Sequence, residues 1–422
     1  MERVKQFIAE NKALVVVLLG AFAVRVAWLL IAQPTPVSDW HAYRQLAADI
    51  IDHGQLGYPE RTSFYLPMHP FHLAAWSLIS RSALWLGMSS VVLSTASVGL
   101  VYAIGVRIYA QGRTALIAAA LFAFLPLFVL FSPVLATEHL FIVFMLSAML
   151  GLVHLKARSG VLATFVGVLS GLAILTRGEA VFYVPALVLF VWFGSGLSRA
   201  KERLRMTVLL GFGILIIIAP WYARNSFLAS PDLGLSAGAG VNFYFAHNDS
   251  GLYGWYPEGS PLEGHNTEEA NRLGWELGFA YLREDPAHLL RDVGYGTAEL
   301  LETPEYALFW STRALEPGGD PLDPVSFIEK DVPFRRLLEV VLAVPFLLVL
   351  GAAALLAYRT WSHRIIWLVV PLIASTWILR TVIYWAKPRY CYFLSVMLVF
   401  IAAIALSAIV ETNQRAAAPE SV

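Results

Sequence analysis

Long apolar runs separated by short polar turns dominate this chain. Crossing the hydrocarbon core of a bilayer takes about 20 mostly apolar residues. Runs at 13–32, 83–106, 114–132, 139–155, 160–175, 180–194, 206–222, 337–357, 365–384 and 390–410 meet or approach that length. The pattern predicts an all-α polytopic membrane protein with about 10 transmembrane helices. Residues 39–52 read differently, with Ala42, Leu46 and Ile50 on one stripe and Arg44 and Asp49 on the other. Residues 70–80 are too short to cross and carry His72 and Trp76. Both stretches are predicted as helices lying at the membrane surface. A long polar segment from Arg224 to about Arg336 includes an amphipathic stretch at 267–301, interrupted at Asp285-Pro286. It is expected to form a partly ordered cap rather than a separate large domain.

Composition agrees with this reading: 58% of residues are hydrophobic, 14% are charged, and mean hydropathy is +0.64. A formal net charge of zero gives no reason to expect a nucleic-acid partner. Cys391 is the single cysteine, which excludes a disulfide or a cysteine metal framework within the chain. The amino terminus, with Arg3, Lys5 and Lys12 before an apolar run, resembles a signal sequence. That run is long enough to span and lacks a convincing cleavage site, so it is read as a retained first helix.

Position of charge sets the expected orientation, because Lys and Arg concentrate in cytoplasmic turns. With both termini inside, those turns hold Arg107 and Arg113, then Lys156 and Arg158, then Arg199, Lys201, Arg203 and Arg205, then Arg359 and Arg364. Counting 66–81 as a span would move the first two of these turns outside. The expected organisation is a core transmembrane module at 1–223, an outer cap at 224–336 and carboxy-terminal helices with a short tail at 337–422. The first outer loop, 33–82, lies within the core module.

On that topology a set of charged groups collects at one membrane face: Asp39, Glu138, Arg177, Glu179, Arg224, Lys387 and Arg389. Asp39, in Pro36-Val37-Ser38-Asp39-Trp40, reads either as a solvated loop carboxylate or as a base held at the membrane surface. Basic residues retained in outside turns suit an anionic ligand, and arginine offers a phosphate bidentate, charge-assisted contacts. The competing reading is that each snorkels to lipid headgroups. Glu179 has a simple structural reading as the partner of Arg177. His41, His69, His72, His139 and His247 show no metal spacing. Arg25 and Arg380 lie inside apolar runs, where an unpaired charge is costly, so each implies a buried partner or a polar cavity.

Several short patterns, in order along nearly the whole chain, carry a resemblance. They are Ser38-Asp39 with Tyr43 and Ala47, His69-Pro70, Thr137-Glu138-His139-Leu140-Phe141, and Gly171-Leu172-Ala173-Ile174-Leu175-Thr176-Arg177. Pro220-Trp221-Tyr222-Ala223-Arg224-Asn225, the stretch from Asn242 to Gly254, Asp285-Pro286 and Arg389-Tyr390 complete the series. Together they resemble the C-type glycosyltransferases (GT-C topology) that use polyprenyl-phosphate sugars, in particular bacterial protein O-mannosyltransferases and lipid A aminoarabinose transferases. The resemblance implies a multi-pass protein of the bacterial cytoplasmic membrane with its active site on the outer side. It implies Asp39 as catalytic base, Glu138 as a second active-site acid, and Arg177, Arg224, Lys387 and Arg389 as contacts for the donor phosphate. Tyr43, His69, Glu179, Asn242, Tyr244 and His247 are the matching substrate-pocket candidates. The implied partners are a polyprenyl-phosphate-sugar donor, a glycan, lipid or protein acceptor, and membrane lipids. Met68-His69 stands where the aminoarabinose enzymes carry an acidic-lysine pair, so a divalent metal stays open as a cofactor. The alternatives are a diphosphate-linked donor or a lipid or glycan transporter without catalysis.

Overall fold

The computed structural model describes residues 11–36, 39–56, 64–109, 111–228, 234–249, 259–301, 363–386 and 388–417, and these residues are helical with no strand. Five helices are long and apolar enough to cross a membrane, and four shorter apolar helices accompany them. The predicted run at 337–357 and the cap residues 302–336 lie outside the described residues.

Helix α1 (Lys12–Ala32) ends at Gln33, whose left-handed backbone (φ 42°) turns the chain out before Pro34. Helices α2 (Asp39–His53) and α3 (Met68–Ser77) form at the two stretches expected to be helical between the first spans and pack together. Phe71 on α3 is exposed, as are Leu78 and Ile79 just beyond it. These apolar side chains suit a helix lying at a lipid interface. Helix α4 (Ala83–Ile108) starts with Ser82 as its side-chain cap.

The predicted run at 114–132 is not one helix. Helix α5 (Gly112–Phe124) stops at an extended Leu125, and a short helix α6 (Pro126–Leu130) follows. Pro126 has no N–H to offer the Phe122 carbonyl, so the ladder breaks there. The buried Arg25 of α1 repairs the break: its guanidinium donates to the carbonyls of Phe122 (3.0 Å) and Ala123 (2.7 Å) and to Ser94 Oγ (2.9 Å). The partner expected for this arginine is thus a set of neutral oxygens rather than a carboxylate.

Helices α7 (Thr137–Val153), α8 (Gly160–Thr176) and α10 (Ala200–Leu228) pack in sequence. The α8–α10 contact is backbone on backbone, because a Cβ at Gly167 would lie 2.0 Å from the Leu210 carbonyl oxygen and one at Gly213 2.1 Å from that of Thr164. The predicted span at 180–194 is irregular: a 3-10 turn (Gly178–Tyr183), α9 (Val184–Leu189) and a π turn (Phe190–Gly194). The stretch after α10 supplies α11 (Ala239–Ala246), α12 (Thr267–Glu284) and α13 (Ala287–Leu301), the last two meeting at Asp285-Pro286 as expected. Helix α14 (His363–Ile378) ends in a π turn (Leu379–Ile383), and a 3-10 turn (Pro388–Tyr390) leads into α15 (Cys391–Ala417), which packs on α5. At one end of the bundle Arg364 donates to the Arg107 carbonyl, so two of the basic turns meet there. At the other end the amino termini of α2 and α7, the carboxy terminus of α8 and the turns before α15 come together.

Candidate active site

Those helix ends enclose a cavity of about 670 Å³ walled by residues 39–66, by α7 and α8, by residues 234–275 and by the turns between α14 and α15. Three carboxylates, Asp39, Glu138 and Glu179, and three arginines, Arg177, Arg380 and Arg389, line it. Local structure explains their placement. Asp39 and Glu138 sit in the first turns of α2 and α7, where the helix dipole favours an anion. Arg177 sits just past the end of α8, where the dipole favours a cation.

Arg177 is a hub. Its Nε reaches Glu179 Oε1 at 2.7 Å, and its Nη1 reaches Glu138 Oε1 at 2.7 Å and Thr137 Oγ1 at 2.8 Å. Thr137 in turn donates to Glu138 Oε2. Two faces of this guanidinium are therefore committed to protein oxygens. Arg380, also buried, pairs with the other oxygen of Glu179. Arg389 Nη2 donates to Asp39 Oδ2 at 3.2 Å and to the Tyr390 hydroxyl at 2.9 Å. Tyr390 holds the cations together: Arg380, Arg389 and Arg177 lie 3.7, 4.9 and 5.5 Å from its ring centroid. Attraction to the π face offsets part of the repulsion among three like charges. The network balances three positive against three negative groups, which is the condition for keeping ions in a partly buried site.

Asp39 is held from two sides, since Tyr65 donates to its Oδ1 at 3.2 Å. Tyr65 packs edge-on against Tyr43, and Tyr43 against His69, each pair at 5.0 Å between centroids. Burial, reinforced by the neighbouring Asp39, pushes the Tyr43 phenol well above its ordinary value, so it stays protonated. His69 lies behind this wall rather than in it, held to the Leu135 carbonyl at 3.0 Å. Burial, reinforced by the neighbouring His72, drives the His69 pKa down to about 3, leaving a neutral ring.

Another part of the lining is aromatic and neutral. Asn242 lines it, receiving Trp385 Nε1–H at 2.7 Å and donating to the Gly238 carbonyl at 2.6 Å. Phe245, Trp275 and Asn271 stand beside it. This wall is fixed by a glycine contact between α11 and α12, where a Cβ on Gly240 would fall 1.9 Å from the Asn271 carbonyl oxygen.

Of the residues singled out from sequence, Asp39, Tyr43, Glu138, Arg177, Glu179, Asn242 and Arg389 share the cavity. Four described candidates stand outside its lining. Arg224 stacks on Trp221 at 4.6 Å and bonds Asn225, which holds the carbonyls of Gly234 and Leu235. That motif shapes the wall where Gly234 and Leu235 line it. His69 supports Tyr43 from behind. Tyr244 is buried with Val241, Leu262 and Ala270. His247 is buried between Asp292, 2.9 Å from Nδ1, and the Val382 carbonyl, 3.0 Å from Nε2. Lys387 lies outside the described residues. Sequence reasoning did not assign Tyr65, Thr137, Arg380 or Trp385 to the site. For Arg380 the signal was present, as a charge near the end of an apolar run. Among the described residues no group of three His, Cys, Asp or Glu side chains forms a metal-ligand set. Asp39 and Glu138 face guanidiniums, whose charge opposes a second cation at the same oxygens.

The apolar helices are those of a multi-pass membrane protein, and their arrangement is similar to that of C-type glycosyltransferases. Residues 65–223, which carry Glu138, Arg177 and Glu179, match the family described as dolichyl-phosphate-mannose-protein mannosyltransferase. The fold is similar to the crystal structure of the Archaeoglobus fulgidus oligosaccharyltransferase in its apo form, with a TM-score of 0.57 at 14% identity. It is equally similar to the A. fulgidus oligosaccharyltransferase AglB in complex with an inhibitory peptide and a dolichol-phosphate, with a TM-score of 0.57 at 15% identity. In both cases 97% of this chain aligns to 52% of the other, so the chain spans about half the length of the structures it matches. No curated protein sequence matches the chain.

Proposed function

We propose that this protein is a membrane glycosyltransferase that moves one sugar from a polyprenyl-phosphate carrier to an acceptor hydroxyl at the outer face of the bacterial cytoplasmic membrane. The observation that carries this reading is one cavity holding a carboxylate, Asp39, 3.2 Å from an arginine that belongs to a cluster of three. Asp39 accepts the proton of the acceptor hydroxyl. The hydroxyl oxygen forms a bond to the anomeric carbon as the bond from that carbon to the phosphate oxygen breaks, and the electron pair leaves on the phosphate. Arg389 and Arg380 stabilise the charge that develops there. A single displacement of this kind inverts the anomeric centre. Glu138 positions Arg177 and the network behind it. The family match names a dolichyl-phosphate sugar chemistry, and one fold neighbour was solved with a dolichol-phosphate bound; both support a lipid monophosphate donor. Protein, lipid and glycan hydroxyls all fit the acceptor role.

The test incubates purified protein with a panel of polyprenyl mono- and diphosphate sugars, with and without chelator, and follows sugar transfer and release. Asp39→Asn is expected to lower turnover by about 10²–10⁴-fold while donor binding survives. Unchanged turnover in Asp39→Asn removes the base assignment. Binding without transfer in wild-type protein across the panel and a set of acceptors supports a transporter instead.

A further inference from the structure

The proposed base and one proposed phosphate ligand are bonded to each other, and this has a consequence for the order of events. Arg389 Nη2 sits on Asp39 Oδ2, and Tyr65 donates to Oδ1, so both oxygens of the base are engaged by protein groups. Resting on the donor reading above, we propose that Arg389 is a substrate-released guard on Asp39. It holds the carboxylate until the donor phosphate competes the guanidinium away, so that the base is uncovered only after the donor is in place.

Three features of the geometry support the exchange. The pair is partly solvent-accessible, with side-chain exposures of 20% for Arg389 and 29% for Asp39, so separating it strands no buried charge. Arg389 keeps a second anchor while it moves, because the same Nη2 donates to the Tyr390 hydroxyl and its guanidinium lies 4.9 Å from that ring. The other two cations are committed differently. Arg177 is bound to Glu138, Glu179 and Thr137, and Arg380 to Glu179. Of the three arginines around Tyr390, Arg389 is therefore the one whose carboxylate partner is the proposed base. A phosphate offers two non-bridging oxygens to the planar guanidinium and matches it better than a single carboxylate oxygen at 3.2 Å. Both loaded partners keep a role: the phosphate gains a cation, and Asp39 retains the Tyr65 hydroxyl that orients it.

If the phosphate must take Arg389 from Asp39, then removing the aspartate charge strengthens donor binding through Arg389 alone. The test measures the Kd of a sugar-free polyprenyl monophosphate in detergent micelles for wild type, Asp39→Asn, Arg389→Gln and the double variant. Wild type is expected to bind. Asp39→Asn is expected to bind tighter, on the order of fivefold for a partly exposed pair. Arg389→Gln is expected to bind more weakly, and Asp39→Asn is expected to change nothing further in that background. Arg389→Lys, which keeps the charge, is expected to restore part of the tightening, and melting temperature confirms that each variant folds. An Asp39→Asn effect of equal size in the Arg389→Gln background overturns the guard, because general electrostatics would then suffice. Unchanged or weaker binding in Asp39→Asn overturns it as well. Failure of wild type to bind the lipid phosphate at all removes the donor reading and the guard with it, and is distinguishable from binding without coupling.

Discussion

Arg25 and Arg380 are both arginines buried in apolar helices, at 0% and 3% exposure, yet their surroundings differ in kind. Arg25 is surrounded by uncharged acceptors, namely the carbonyls of Ala21, Phe122 and Ala123 and the Ser94 hydroxyl, and it does not line the cavity. Arg380 faces the Glu179 carboxylate and the Tyr390 ring and does line it. The first guanidinium completes hydrogen bonds that a proline took from the backbone. The second belongs to a network of charges kept near a space large enough for a ligand. Burial of a cation in a membrane protein is therefore no guide to function until its acceptors are known.

The contrast predicts where each substitution will be felt. Arg25→Leu leaves two carbonyls facing an apolar side chain and should cost about 3–5 kcal/mol of stability, read as a large drop in melting temperature in detergent. Adding Pro126→Ala, which returns an N–H to the Phe122 carbonyl, should recover part of that loss. An Arg25→Leu protein that melts normally would remove the structural half of the comparison.

Acid should weaken the site end in a different way. His69 and His72 are neutral in the fold, pushed down from 6.5 to about 3 and about 4 by burial, whereas the unfolded chain protonates both near 6.5. The unfolded state thus binds more protons below 6.5, and stability falls as pH drops towards the folded values. The expected loss is about 2–4 kcal/mol between pH 6.5 and 5, measured as melting temperature against pH. Replacing His69 by Phe should flatten that slope.

Arg380→Gln should leave melting temperature nearly unchanged, since Arg177 still holds Glu179. It should weaken polyprenyl-phosphate binding by roughly 10- to 100-fold, the range for losing a charged hydrogen-bond donor. A variant with a large drop in melting temperature that still binds lipid phosphate normally below its melting point would reverse the roles of the two arginines. The smallest effect is expected for Trp385→Phe, which removes the indole bond to Asn242 Oδ1. A several-fold rise in KM for the sugar donor with kcat preserved would assign that wall to sugar recognition.

Much of this was legible in sequence, and what was not has identifiable causes. Apolar runs and the amphipathic stripe of Ala42, Leu46 and Ile50 located the helices, because burial against lipid or protein imposes those patterns directly. The break at Leu125 was hidden inside a continuous apolar run, although Pro126 marked it. Asp39, Glu138 and Arg389 were placed at one end by charge and spacing. Which cation meets which carboxylate was not accessible, because ion pairing depends on side-chain reach across helices and on whose second partner is nearer. The bonds of Arg177 to two glutamates and a threonine, for example, could not be read from its position at the end of α8. The stacking of Arg224 on Trp221 was hidden for a related reason: a guanidinium at a helix end is equally suited to an anion or to an aromatic face.

Asp39 and Arg389 are separated by 350 positions along the chain. During synthesis at about 5–20 residues per second, the first of them is inserted roughly 20 to 70 s before the second. Until the turn before α15 arrives, the nascent protein holds its carboxylate without the guanidinium that covers it and without the Tyr390 ring that gathers the cations. A chain stalled or cut before that point carries Asp39, Glu138, Arg177, Glu179 and Arg380 but lacks Arg389 and Tyr390, so competence for donor binding should appear only once that turn is in place. The turn before α15 is thus the element whose arrival joins Asp39 to Arg389.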